Sequence, residues 1–308
     1  MSNPLIEDQG TQAWSKKQWL LWLAVPVLVL VGVKLTVLLL GDAALEGVLE
    51  GAVEGAAGLD GANAHAYWLL QKDWFITLNA SLSSTLTHGI WYNLTLLGDG
   101  AVLLPLAFLG LYWRPQIAAA LIATLPLGAI LSSMGKAYFS MPRPAAVLEH
   151  AELVIIGETL AGHSSLPSGH SITYFAVLVA VLAVCLPKPG NRAQWLAFIA
   201  AVGVFVVLCL SRVAVAAHWP LDLLVGASLG TIAGVGGAGL TRFKPNWWQK
   251  LFGLRRRFIF VPLFLLWAWI LFGRVGETHF FAGVIYLAAI ACLAVVAWMF
   301  TQHQFGRK

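Results

Sequence analysis

The sequence predicts an all-α membrane protein, a helical bundle with about eight transmembrane helices, and three observations predict it. Apolar residues make up 59% of the 308 residues and charged residues 11%, with a mean hydropathy of +0.79, a balance outside the range of soluble domains. The apolar residues gather into runs long enough to cross about 30 Å of hydrocarbon. Lysine and arginine gather between alternate runs, as the positive-inside rule requires. No attached soluble domain and no nucleic-acid partner are expected. Cys185, Cys209 and Cys292 all fall inside apolar runs without metal or pairing spacing, and read as small core residues.

In chain order, Lys16 and Lys17 precede the apolar run 19–40, which is too long for a signal sequence and lacks a clear cleavage site, so it reads as an uncleaved first span. Lys34 inside it reads as snorkelling to the interface. Residues 41–93 read as an acidic outer segment. A four-residue repeat places Glu46, Glu50 and Glu54 in one stripe. It reads either as an interfacial helix or as a solvated connector, because like charges four apart oppose a helix. Tyr67, Trp68, Trp74 and Phe75 then resemble an interfacial aromatic belt. The second span is expected over 94–113, with Asp99 inside its outer end. Asp99 reads either as a partner standing behind a cation of the site or as a helix-entry residue at the interface. Further spans are expected at 117–135, 168–186, 195–210 and 220–240, so that residues 1–240 form a six-span core. A basic cytoplasmic loop (241–257) follows, then two additional C-terminal spans at 258–272 and 281–300 and a short tail to residue 308.

Charge tests this topology. With both termini inside, 13 of the 19 Lys and Arg residues are cytoplasmic, while the outer loops hold ten acidic residues from Asp42 to Glu277. The expected location is therefore the plasma (inner) membrane, multi-pass. The parity brings 136–144, 167–170 and 212–222 out together on the outer, periplasmic side.

Those three segments carry the polar residues that a bilayer tolerates only for function. Lys136, Arg143 and Arg212 supply three positive charges, more than a carboxylate needs and suited to a phosphate dianion. Ser168 and Gly169 stand where the fourth span begins, and a helix N-terminus there offers free backbone N–H groups to an anion. Of the two histidines, His170 and His218, only His218 has a carboxylate four residues on, Asp222. A carboxylate orients an imidazole and supports its positive charge. His218 therefore reads as the nucleophile at phosphorus, and His170 as the acid for the leaving oxygen and then the base for water. The cations would stabilise the equatorial oxygens. No carboxylate cluster is available for magnesium, so metal-free catalysis without a cofactor is expected. His163 matches no position of this pattern and reads as a loop residue, and the Asn79-Ala-Ser and Asn93-Leu-Thr triplets fit a glycosylation pattern common by chance.

Lys136-x6-Arg143-Pro144, Pro167-Ser168-Gly169-His170 and Ser211-Arg212-x5-His218-x3-Asp222 stand in this order. In these residues the chain resembles the type 2 phosphatidic acid phosphatase superfamily, over about residues 85–240. The resemblance implies a six-helix core, spans one to six, and the same nucleophile and acid. It implies a lipid phosphatase acting on an isoprenoid pyrophosphate such as undecaprenyl pyrophosphate, on phosphatidylglycerophosphate or on phosphatidate. A lipid A phosphatase or phosphotransferase would use the same site. A transporter or flippase with a basic anion site is the reading from another class; the paired nucleophile and acid argue against it. Haloperoxidases of the wider superfamily share the signatures but are soluble, which the expected spans oppose. The acidic repeat and the last two spans go beyond the smaller bacterial members.

Overall fold

A computed structural model describes residues 16–49, 67–112, 114–185, 190–244, 247, 250 and 256–305. The described residues are helical, with no strand among them. We number the longer helices α1 (Lys16–Leu49), α2 (Lys72–Thr85), α3 (His88–Leu96), α4 (Gly100–Phe108), α5 (Pro115–Phe139), α6 (Gly169–Val184), α7 (Arg192–Ala214), α8 (Pro220–Phe243), α9 (Phe260–Arg274) and α10 (Gly283–Phe305).

The bundle is built around α8, which packs on α6, α5 and α1. Its sequence explains the position. Gly226, Gly230 and Gly234 recur every four residues and so line one face, and that face meets α6 backbone to backbone. A Cβ on Gly226 would lie 2.6 Å from the Ser168 carbonyl, and one on Gly230 would collide with the Ile172 carbonyl. Small residues at this spacing let helices approach closely where lipid supplies no hydrophobic drive between them. The result locks the N-termini of α6 and α8 side by side. α1 lies outside, touching α8 through Trp19 and Phe243, whose ring centroids are 5.7 Å apart.

The expected helical bundle is present, and among the described residues five or six of the eight expected spans have the length and apolarity to cross. Five helices (α1, α5, α7, α8 and α10) are apolar and long enough to cross, and the α3–α4 pair makes a sixth if it is one broken span. The fourth and seventh expected spans are the short helices α6 and α9, of 16 and 15 residues, about 24 Å at 1.5 Å per residue. The chain is a multi-pass membrane protein.

Two further expectations are corrected. The second span is not continuous over 94–113: α3 and α4 meet at a 70° bend. Gly98 and Gly100 weaken a helix there, and Asp99 competes for the backbone as the N-cap of α4, accepting from Ala101 N at 2.8 Å. Residues 41–93, expected as an acidic outer segment, include helices that pack into the bundle. α1 runs on to Leu49, and α2 and α3 occupy 72–96, with α2 packed on α7. The rest of the acidic repeat lies outside the described residues, as does most of the basic 241–257 loop. The aromatic belt dissolves accordingly: Trp74 is exposed, whereas Tyr67 and Phe75 are buried inside the bundle.

Candidate active site

The three polar segments meet at one end of the bundle. Lys136 is in the last turn of α5, which stops at Ser140 in the left-handed conformation, φ 44°. The loop beyond is pinned to itself by Arg143 N donating to Gly162 O (2.9 Å) and Ser165 N to Met141 O (3.0 Å). That closure carries Arg143 to the Ala217 carbonyl, to which its Nη1 donates at 3.1 Å. Ser168 caps α6, accepting from Ser171 N at 3.3 Å, and its own N–H donates to the Asp222 carbonyl at 3.2 Å. A Cβ on Gly169 would sit 3.5 Å from Lys136 Nζ. The lysine thus stands over the N-terminus of α6, where unpaired N–H groups favour an anion.

His218 and Asp222 pair, though not as neighbours on a helix face. α7 ends at Ala214, and Ala216 takes φ 58°, turning the chain so that the Arg212 carbonyl accepts both Ala217 N (2.9 Å) and His218 N (3.3 Å). α8 begins after the N-cap Trp219, with Pro220 in its first turn. Asp222, in that same turn, folds its carboxylate back to the Trp219 N–H at 3.0 Å and to His218 Nδ1 at 3.2 Å. The carboxylate also accepts Ser165 Oγ at 2.5 Å on Oδ2 and Tyr67 Oη at 2.7 Å on Oδ1. Buried Asp222 is therefore held by four donors. Since the carboxylate only accepts, Nδ1 of His218 is the protonated nitrogen and Nε2 carries the free lone pair.

Opposing influences meet at His218. Its pKa is held well below the ordinary imidazole range, by burial first and then by Arg212, Arg143 and Lys136. Asp222 and a hydrogen bond to the Ser165 backbone favour an imidazolium, but the Asp222 charge is shared among Tyr67, Ser165 and the Trp219 amide, so burial and three cations prevail and favour the neutral ring. Tyr67 is pushed well above the ordinary phenol range by burial and by the Asp222 charge, so it stays protonated and donates.

Arg212 is 5% exposed, donates from Nη1 to Thr95 Oγ1, and among the described residues its Nε has no partner. A buried guanidinium N–H left open is costly unless something else fills it. His170, in the first turn of α6, lies within electrostatic range of Arg212, His218, Lys136 and Arg143. It borders an apolar cavity of about 460 Å³ that runs from Ser132 and Gly169 to Leu104 and Leu121 between α4, α5 and α6. Gly98 faces the ring of His170, and a Cβ there would lie 2.5 Å from Cδ2.

The structure thus brings together Lys136, Arg143, Ser168, Gly169, His170, Arg212, His218 and Asp222. Asp99 stands further back: it caps α4 and pairs with Arg274 of α9, 2.8 Å away, and its charge also acts on Arg212 of the site. The cap is helix entry, and the charge on Arg212 is the partner role behind a cation, so the geometry is compatible with both readings. His163 is an exposed loop residue, and both triplet asparagines are structural. Asn79 is fully buried and donates to the carbonyls of Val154, Val213 and Ala214, while Asn93 bridges to Phe281 and Val284.

Sequence reasoning missed the residues behind Asp222 and Arg212. Tyr67, Gln71, Phe75, Asn79 and Ser83 are all buried and recur every four residues, the spacing of one helical face. Gln71 accepts from Leu221 N at 2.8 Å, and Phe75 packs on Trp219 at 4.9 Å. Trp219 in turn donates to the Pro142 carbonyl at 2.8 Å. The signal was the spacing itself, hidden because the stripe mixes polar and apolar residues.

Residues 117–246, which contain all three motif segments, match the PAP2 superfamily model. No curated protein matches the chain significantly. Among solved structures, the crystal structure of Aquifex aeolicus LpxE is 24% identical, over 55% of this chain and 95% of that one, with a TM-score of 0.45.

Proposed function

With a PAP2 superfamily domain over residues 117–246 as the premise, we propose that the protein is a membrane-embedded lipid phosphatase working through a phosphohistidine on His218. The observation that carries the reading is the Asp222-anchored imidazole of His218 set among three cations. Nε2 attacks phosphorus, the P–O bond to the leaving group breaks, and His170 gives its proton to the leaving oxygen. The phosphoimidazolium charge is then held by Asp222. Water, deprotonated by His170, attacks the phosphohistidine, the P–N bond breaks, and inorganic phosphate leaves. Lys136, Arg143, Arg212 and the α6 N-terminus with Ser168 and Gly169 bind the phosphoryl oxygens, which carries most of the catalysis in such transfers.

A lipid substrate is supported by the apolar cavity that ends at His170, Ser132 and Gly169: a chain lying there leaves its phosphate at the cations. The substrate class is an isoprenoid pyrophosphate or a glycerophospholipid phosphate presented from the outer (periplasmic) leaflet of the plasma membrane, with both termini cytoplasmic. No metal ion takes part. Purified protein in detergent, given a panel of these lipids with EDTA present, should release inorganic phosphate. Loss of turnover in EDTA would refute the metal-free chemistry, and transfer of labelled phosphate to an added lipid A acceptor instead of water would make the enzyme a phosphotransferase.

Tyr67→Phe tests the support of Asp222. It removes one charge-assisted hydrogen bond from a buried carboxylate, a loss of about 1.5–3 kcal/mol. The expected outcome is a fall of about tenfold to a hundredfold in kcat/KM, measured by phosphate release. If activity stays unchanged, the tyrosine does not hold the pair.

A further inference from the structure

The bend between α3 and α4 is a wall of the site. On its inner side Thr95 Oγ1 receives Arg212, the Leu94 carbonyl accepts Tyr174 Oη at 2.8 Å, and Gly98 abuts the rings of His170 and Tyr174. Its outer side is held by the C-terminal helix pair. Arg274, at the end of α9, meets Asp99 Oδ2 at 2.8 Å, while Asp99 Oδ1 caps α4. Trp267 of α9 donates to the Ala101 carbonyl at 2.9 Å, and Phe264 meets Phe108 edge-on at 5.4 Å. Asn93 of α3 donates to the Phe281 carbonyl (2.7 Å) and accepts from Val284 N (3.2 Å) at the start of α10. Both arms of the break are therefore gripped by α9, α10 and the link between them.

We propose that the C-terminal helix pair is a brace for the active site, and that Arg274 is a positioning residue acting through Asp99 and the 95–99 bend on Arg212 and His170. The proposal rests on the phosphatase reading of that site. The physical ground is tolerance. A bend whose backbone leaves no room for a methyl group beside His170 passes its own displacement directly to the ring, and misplacement of a catalytic group by about 1 Å costs about a hundredfold in rate. Arg274 and Asp99 are each about one-third exposed, so the pair fixes the bend more than it stabilises the fold.

The test uses the full-length protein with Arg274→Gln, Arg274→Lys, Asp99→Asn and the Arg274→Gln/Asp99→Asn double variant. Asparagine keeps the cap of α4 while removing the charge. Phosphate release, binding of orthovanadate by calorimetry, and the thermal midpoint are measured for each. Arg274→Gln and Asp99→Asn should each lower kcat/KM about fivefold, and the double variant should lose no more than one of them, because the two act as one unit. Arg274→Lys should recover most of the loss, orthovanadate should bind correspondingly weaker to Arg274→Gln, and thermal midpoints should stay at the parent value. Parental kinetics in Arg274→Gln, losses that multiply in the double variant, or a loss that only follows the thermal midpoint would each overturn the proposal. If the parent binds orthovanadate but releases no phosphate, the phosphatase reading fails by itself, and Arg274 is judged on orthovanadate affinity alone. If the parent binds no orthovanadate and turns nothing over, both fall.

Discussion

His218→Ala abolishes turnover, with kcat expected to fall by about four orders of magnitude or more, because no other group at phosphorus replaces the nucleophile. His218 is 1% exposed, and its Nδ1 is committed to Asp222, so Nε2 is the one ring nitrogen left to react. The pH dependence follows from the same geometry. Burial, with Arg212, Arg143 and Lys136, holds the His218 pKa below its ordinary value near 6.5. In the proposed mechanism the nucleophile is the neutral form, so the acid limb of kcat/KM, where His218 takes up a proton, should lie below pH 6.5. Removing positive charge from the site moves the limb in a predictable direction: Lys136→Met should shift it upward. Rate profiles on parent and variant check both statements, and an acid limb at or above the ordinary imidazole value would contradict them.

Arg212→Ala has the second-largest effect, about a thousandfold in kcat/KM, the size typical of losing one preorganised donor to a transferring group. Lysine is not an adequate substitute at a position where Nη1 is held by Thr95 and Nε is aimed elsewhere, since a single ammonium cannot serve both. The stability effect has the opposite sign. Arg212 is a buried cation with an unfilled Nε, so taking the charge out of the interior should leave the thermal midpoint unchanged or raised. A variant that loses activity only because it unfolds would contradict the assignment.

How much of this was legible in the sequence depended on the kind of signal. The helices carrying the motifs were visible because apolar runs of membrane length are unmistakable, and the motif residues stood out because charge in such runs is expensive. The 70° bend was not visible, since Gly98-Asp99-Gly100 sits inside an apolar run and hydropathy averages over it. The short length of α6 was hidden likewise: Pro167 and Ser168 stop it, yet the apolar run on its other side reaches on to Leu186. The His218–Asp222 pairing was read from helical spacing, but it is made by a turn and an N-cap, a different geometry that gives the same contact. Tyr67 and Phe75 read in the sequence as part of an interfacial aromatic belt, while their four-residue spacing with Gln71 is what buries them against Trp219 and Asp222. Asp99 illustrates the limit of one-dimensional reading. Its partner Arg274 is far along the chain, in a helix that no motif marks.

The central claim is that phosphorus passes through His218. Incubating His170→Ala protein with a lipid phosphate or pyrophosphate substrate, quenching in base and mapping the peptides by mass spectrometry tests it directly. With a pyrophosphate, whose phosphate leaving group needs little help from the missing acid, phosphorylation should outpace the hydrolysis that lacks its base, and the peptide containing His218 should carry one phosphoryl group that is stable in base and lost in acid. Phosphate released by the parent protein, with no such adduct on His218 under any quench, would contradict the account.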